Sequence, residues 1–315
     1  MTKFTEMIRD LFEETEQKQL ATFDESITNP DNVVIYEQIQ YGAEKQWNTL
    51  DIYRPKDRTG ECLPILINVH GGAWMQSSKE RYKYYCWKLM QKGFAVVNIN
   101  YRLVPYAYFP APVEDLNQVM IWILEHAKEY DMDLSHIYGT GDSAGAQILG
   151  QYAAICSNEK YAGQFSFQIP KKNVFEAIVL NCGVYQVNYE CRRSDLVRMI
   201  AFEYLNIENK NPEQITEEEY HSLYEQKIDL FEFGKYVTSQ FPDTLLVTSE
   251  TDFVKMHSLE LMHCLMEQNV NARLYMCVSK EHELNHVFNI NLKLPEAERC
   301  NNEEMEFLIC HTKQN

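Results

Sequence analysis

Residues 136–155, HIYGTGDSAGAQILGQYAAI, constrain this chain more than any other stretch. They open as a short β-branched and aromatic run, pass through a glycine-rich turn, and continue as a helical pattern. The chain has only 12 glycines in 315 residues, yet Gly139, Gly141 and Gly145 crowd around Ser143. A surface turn rarely needs so many. A sharp strand-to-helix turn does, because its apex residue sits in strained backbone and the positions two before and two after it must be small to avoid collision. Such a turn aims the Ser143 hydroxyl at a helix N-terminus, where amides favour developing negative charge. A chance match in a glycine-serine loop would lack the flanking strand and helix.

The same alternation runs through the chain. Residues 32–41 and 48–55 read as early strands, paired antiparallel; 63–70, 94–101, 136–141, 176–182, 243–249 and 272–279 read as later ones. The apolar strands are nearly continuous, as expected for strands covered on both faces. From Pro112 a helix carries Leu116, Val119, Met120, Ile123 and Leu124 on one face, and residues 255–269 place Leu259, Met262 and Met266 on one stripe. Strand, helix, strand in repetition means an α/β fold with a mostly parallel central sheet and helices on both faces. About 60 helical, charged and aromatic residues between Cys182 and Asp243 break the rhythm and read as an inserted helical cap, about 186–241, with its aromatics forming mainly its own core.

The formal charge of −17 argues against nucleic-acid and anionic-membrane partners. No run of ~18 apolar residues exists to span a membrane. Residues 1–22 read as an amphipathic helix, with Phe4, Met7, Ile8, Leu11 and Phe12 at helical spacing. It is expected to dock on the body; a lid over the site or a contact in a homodimer are its alternatives. The N-terminus has no signal-peptide pattern and the nine cysteines form no CxxC pair, which points to reduced thiols and a cytoplasmic location. No Cys/His cluster has zinc-site spacing, so no metal or other cofactor is expected.

A serine hydroxyl needs a base and an orienting acid to act as a nucleophile. After the strand 243–249 come Glu250 and Asp252; a short turn favours Asp252 as the acid, with Glu250 the second candidate. After the strand 272–279 come His282 and His286, either of which could be the base. Upstream, HGGAW at 70–74 follows another strand, and its glycines let backbone approach a substrate closely, so that the Gly71 and Gly72 amides can donate to an oxyanion. Ala144, just after the serine, supplies a further donor. His70 reads as ordering this loop rather than carrying protons.

LDIYRP, HGGAW, YRLVP…FPAPVED, GTGDSAGA and NHVF follow one another in the order found in the α/β-hydrolase superfamily, and the chain resembles the microbial esterases related to hormone-sensitive lipase over roughly 48–290. Ala73 and Ala146 stand where that family often has glycine. The resemblance implies one α/β-hydrolase domain over 1–315, with Ser143 as nucleophile, Asp252 as acid, His286 as base, and Gly71, Gly72 and Ala144 as oxyanion amides. It makes Tyr101–Pro105 and Asp115 scaffold elements. The implied activity is hydrolysis of short-chain acyl or small aryl esters by a serine carboxylesterase with a small-molecule ester as its partner. The alternatives are an amidase-type hydrolase, such as an aryl formamidase or a peptidase, and a non-catalytic binding protein on the same scaffold.

Overall fold

The computed structural model describes residues 31–186, 195–206 and 227–312, together with Met7 and Asp10, both helical. The N-terminal helix expected over 1–22 and much of the cap expected over 186–241, including Tyr189, Tyr220 and Tyr224, lie outside the described residues.

All eight expected strands form: β1 (Val33–Gln40), β2 (Thr49–Pro55), β3 (Leu63–Val69), β4 (Ala95–Ile99), β5 (Met132–Asp142), β6 (Ala177–Asn181), β7 (Asp243–Ser249) and β8 (Ala272–Cys277). They make one sheet in the order β1-β2-β4-β3-β5-β6-β7-β8. β1 pairs antiparallel with β2, and β2 with β4; every other pairing is parallel. Parallel neighbours need crossovers, and helices supply them: α1 (Lys83–Met90), α2 (Ala111–His126), α3 (Ala144–Ser157), α4 (Asp195–Tyr204) and α5 (Lys255–Glu267); α6 (Pro295–Thr312) follows the last strand and packs on the sheet.

Alternate strand residues feed two cores. Ile65, Ile67, Val97, Ile178, Leu180 and Leu246 join one with Leu116, Val119 and Ile123 of α2, Ile148, Leu149 and Tyr152 of α3, and Leu261 and Leu265 of α5. Leu66, Val96, Val179, Leu245 and Val247 face the other, against Trp87 and Leu89 of α1 and Met305, Phe307 and Leu308 of α6. Central strands buried on both faces read as continuous apolar runs for this reason.

The stripe expected on α5 is not its core face. Leu259 and Met266 are exposed, and the helix buries Ser258, Leu261 and Leu265 instead. The described aromatics of the 186–241 segment, Tyr204, Phe231, Phe233 and Phe241, pack on one another and join the first core: Phe233 lies over Gly150 of α3, and Tyr204 stacks on Trp74 of the body with ring centroids 4.5 Å apart.

Candidate active site

Ser143 stands between β5 and α3 with φ 50° and ψ −115°, a left-handed conformation costly for any side-chain-bearing residue. Its backbone is held by its own N–H donating to Asn181 O at 2.8 Å and by Gln147 N–H donating to its carbonyl at 3.2 Å. The flanking glycines make the turn possible. A Cβ on Gly141 would lie 2.8 Å from the Gly145 backbone, and one on Gly145 would overlap the Val69 and His70 carbonyl oxygens at the end of β3. The serine turn therefore packs backbone to backbone on the HGGAW loop.

The turn after β7 supplies Asp252, and the loop after β8 supplies His286. The Asp252 side chain is fully buried; the His286 side chain is 20% exposed. His286 Nδ1 lies 2.9 Å from Asp252 Oδ1, and His286 Nε2 lies 2.9 Å from Ser143 Oγ. An ionised carboxylate only accepts, so Nδ1 carries the proton and Nε2 is left to accept the serine hydroxyl proton. Burial works against the Asp252 charge, but the His286 hydrogen bond and its charge, the Cys182 thiol and the Val254 amide together hold its carboxyl below the usual carboxylate range. Thr248 Oγ1 donates to the other carboxylate oxygen at 3.2 Å. The exposed Phe253 ring packs 4.6 Å from the His286 ring.

The two alternatives sit elsewhere. His282 Nδ1 pairs with Glu296 at 3.1 Å at the start of α6. Glu250 is exposed, and its backbone joins Cys277 and Lys255 rather than either histidine.

On the HGGAW loop Gly72 has φ 114°, which glycine adopts freely, while Ala73 and Trp74 take φ of 54° and 59°. The Gly71 amide does not fit the expected oxyanion role: it donates to Tyr82 Oη at 3.1 Å and to Asp142 Oδ1 at 3.2 Å. The amides of Gly72 and Ala144 donate to no acceptor among the described residues, and the same holds for Ala73. His70 is buried, its Nδ1 2.7 Å from the Gly71 carbonyl and its ring stacked on Tyr101; burial pulls its pKa down to about 4, so it is neutral. Tyr101 Oη donates to the His70 carbonyl at 2.8 Å, and Asp115 receives Arg102 Nε at 2.9 Å, consistent with scaffold roles.

Four neighbours of the site were not singled out by sequence. Asp142 receives the Tyr82 hydroxyl at 2.9 Å, and burial raises its pKa to about 6. Tyr82 itself has no sequence signal, since only folding brings it back onto Gly71. Cys182, at φ 48° just past β6, lies with its Sγ beside Asp252 and His286. His257 accepts the Tyr185 amide at 3.1 Å and is held neutral by burial, with a pKa lowered to about 4. The position of Asp142 inside G-D-S-A-G was the one available clue.

Residues 50–264 match the BD-FAE family model. Esterase LipQ of Mycobacterium tuberculosis (strain ATCC 25618 / H37Rv) is 36% identical over 123 residues, 38% of this chain and 29% of that protein. Arylacetamide deacetylase of Bos taurus is 32% identical over 107 residues, 32% of this chain and 27% of that protein. The chain thus spans under a third of the length of these two curated relatives. Among solved structures, Esterase B from Lactobacillus Rhamnosis (HN001) superposes with a TM-score of 0.83 at 23% identity, covering 99% of this chain and 96% of that one. That likeness is one of fold. The family match extends from β2 into α5 and takes in the serine turn, the HGGAW loop and Asp252; the chain belongs to the BD-FAE family, on the α/β-hydrolase fold.

Proposed function

We propose that the protein is a serine carboxylesterase that hydrolyses short-chain acyl or small aryl esters through an acyl-enzyme intermediate. The observation that carries this is the unbroken line Ser143 Oγ, His286 Nε2, His286 Nδ1, Asp252 Oδ1, with both links at 2.9 Å. His286 takes the proton from Ser143 as the oxygen attacks the ester carbonyl. The amides of Gly72 and Ala144, with Ala73, receive the negative charge that develops on the carbonyl oxygen. The imidazolium, held by Asp252, passes its proton to the departing alcohol. Water then enters, gives a proton to the same nitrogen, and releases the acid and the free serine.

Supporting the ester reading, the solved neighbours include Esterase B inhibited by a C4-C4 SN3 tributyrin phosphonate. A second reading, amide cleavage by the same groups, draws on the likeness to arylacetamide deacetylase. A panel of p-nitrophenyl esters from acetate to palmitate, run beside an aryl acetamide and formyl-kynurenine, separates them. The proposal expects the highest kcat/KM on acetate or butyrate esters. Activity rising with chain length into long lipids, or faster turnover of the amides, would contradict it.

A further inference from the structure

Cys182 is fully buried and held against the back of the Asp252–His286 pair. Its left-handed backbone, φ 48°, and its amide's hydrogen bond to Val247 O at 2.7 Å fix it at the end of β6, next to the strand that delivers Asp252. The Cys182 sulfur, an Asp252 carboxylate oxygen and a His286 ring nitrogen all lie within 4.8 Å of one another. Sulfur, imidazole and carboxylate are the donor set of Zn²⁺ and its softer congener Cd²⁺. Bonds of about 2.0–2.3 Å around a tetrahedral centre put ligand atoms roughly 3.3–3.8 Å apart, a small adjustment from this arrangement. The residues lie far apart in sequence, so no ligand spacing announces them.

We propose that Cys182 Sγ, Asp252 and His286 Nδ1 form an inhibitory site for a soft divalent cation, with water as the fourth ligand. His286, with its side chain 20% exposed, is the member of the group that reaches solvent. On binding, the thiol releases its proton to solvent as the sulfur takes the metal. The imidazole stays neutral: Nδ1 loses its proton to the metal's occupancy and Nε2 gains one. An Nε2 that carries a proton cannot accept the proton of Ser143, so the nucleophile is silenced while the fold is intact.

The test uses the full chain with Cys62, Cys191 and Cys310 replaced by serine; Cys62 and Cys310 are exposed and would bind cadmium themselves. In this background carrying Ser143→Ala, cadmium titration is expected to produce a thiolate-to-cadmium ultraviolet absorbance that saturates at one ion per chain. Adding Cys182→Ala or Cys182→Ser is expected to remove it; if the alanine variant does not fold, the serine variant decides. In the Ser143 protein, buffered zinc is expected to inhibit ester turnover with an IC50 about tenfold or more below that of the Cys182 variants, each measured against its own zinc-free rate. No absorbance with Cys182 present, an absorbance unchanged by its replacement, or equal zinc sensitivity would each overturn the proposal. The absorbance needs no turnover, so a failed esterase assay would count against the proposed function and leave the metal site to be judged separately.

Discussion

Asp252 is a carboxylate in a place that should strip its charge, and it keeps that charge because the donors around it outweigh the burial. In the proposed mechanism its value is orientation: it fixes the His286 proton on Nδ1. Asp252→Asn keeps the shape but lets the ring adopt the wrong tautomer, and kcat is expected to fall about 10⁴-fold. His282→Ala and Glu250→Gln, which alter groups turned away from Ser143, are expected to keep kcat within about twofold, since surface changes remote from a site rarely matter. Kinetics on p-nitrophenyl butyrate checks all three. At this scale the sequence was legible where one fold rule applies: Ser143, then an acid, then a histidine each follow a strand in the required order, while the choice of His286 over His282 came from the family resemblance. It was illegible where a backbone group has two suitors. Gly71 looks like a free donor in HGGAW, but a carboxylate and a hydroxyl brought by Asp142 and Tyr82 claim its amide first.

Among the elements, α4 and the HGGAW loop are tied together. Trp74 stacks on Tyr204 and packs edge-on to Phe231, and its indole N–H donates to Gln147 at 3.1 Å. The segment read as a cap thus braces the HGGAW loop. Tyr204→Ala is expected to cost about 3 kcal/mol of stability, as large-to-small aromatic truncations do. It is also expected to lower kcat/KM about tenfold by loosening the loop. The Tyr204 hydroxyl is buried with no partner among the described residues. Tyr204→Phe is therefore expected to keep the stacking and gain about 1 kcal/mol. Urea denaturation and ester kinetics on the two variants separate packing from the hydroxyl. Element types were readable because β2 to β7 are apolar on both faces, which periodicity registers. The orientation of α5 was not, since its Leu259–Met266 stripe and its buried Leu261 and Leu265 are both apolar and only the neighbouring sheet selects between them.

Across the whole molecule, buried titratable groups oppose one another. Burial raises Asp142 to about 6 and Glu304 to about 7, against ordinary values of 3.8 and 4.5. Burial lowers His70 and His257 to about 4 from 6.5. The raised acids favour the protonated fold, so their contribution is complete below their ordinary values and is lost as pH rises through 6 and 7. The lowered histidines work the other way: their contribution is present above 6.5 and is lost as pH falls toward 4. Between roughly pH 4.5 and 6 the two slopes nearly cancel, and stability is expected to be flat there. Of the raised acids, Glu304 is the one whose contribution is lost latest as pH rises. It receives the Tyr85 hydroxyl at 3.0 Å under the sheet, and Glu304→Gln keeps an acceptor there without the charge. Relative to wild type, this variant is expected to gain about 3 kcal/mol between pH 5 and pH 8, read from denaturation curves at both. A gain that shrank as pH rose would show that burial does not raise the Glu304 pKa in the folded protein. None of this was visible in the sequence, where Glu304 is one acid in an acidic helix and its depth is decided by how α6 lies on the sheet.

Ser143 is the proposed nucleophile of a serine hydrolase, and intact-mass measurement after exposure to a fluorophosphonate is the sharpest test of that role. The expected result is one adduct per chain, mapped to the peptide containing Ser143, absent in Ser143→Ala and strongly slowed in His286→Ala. Labelling of Ser143→Ala to the same extent as the wild type would contradict it.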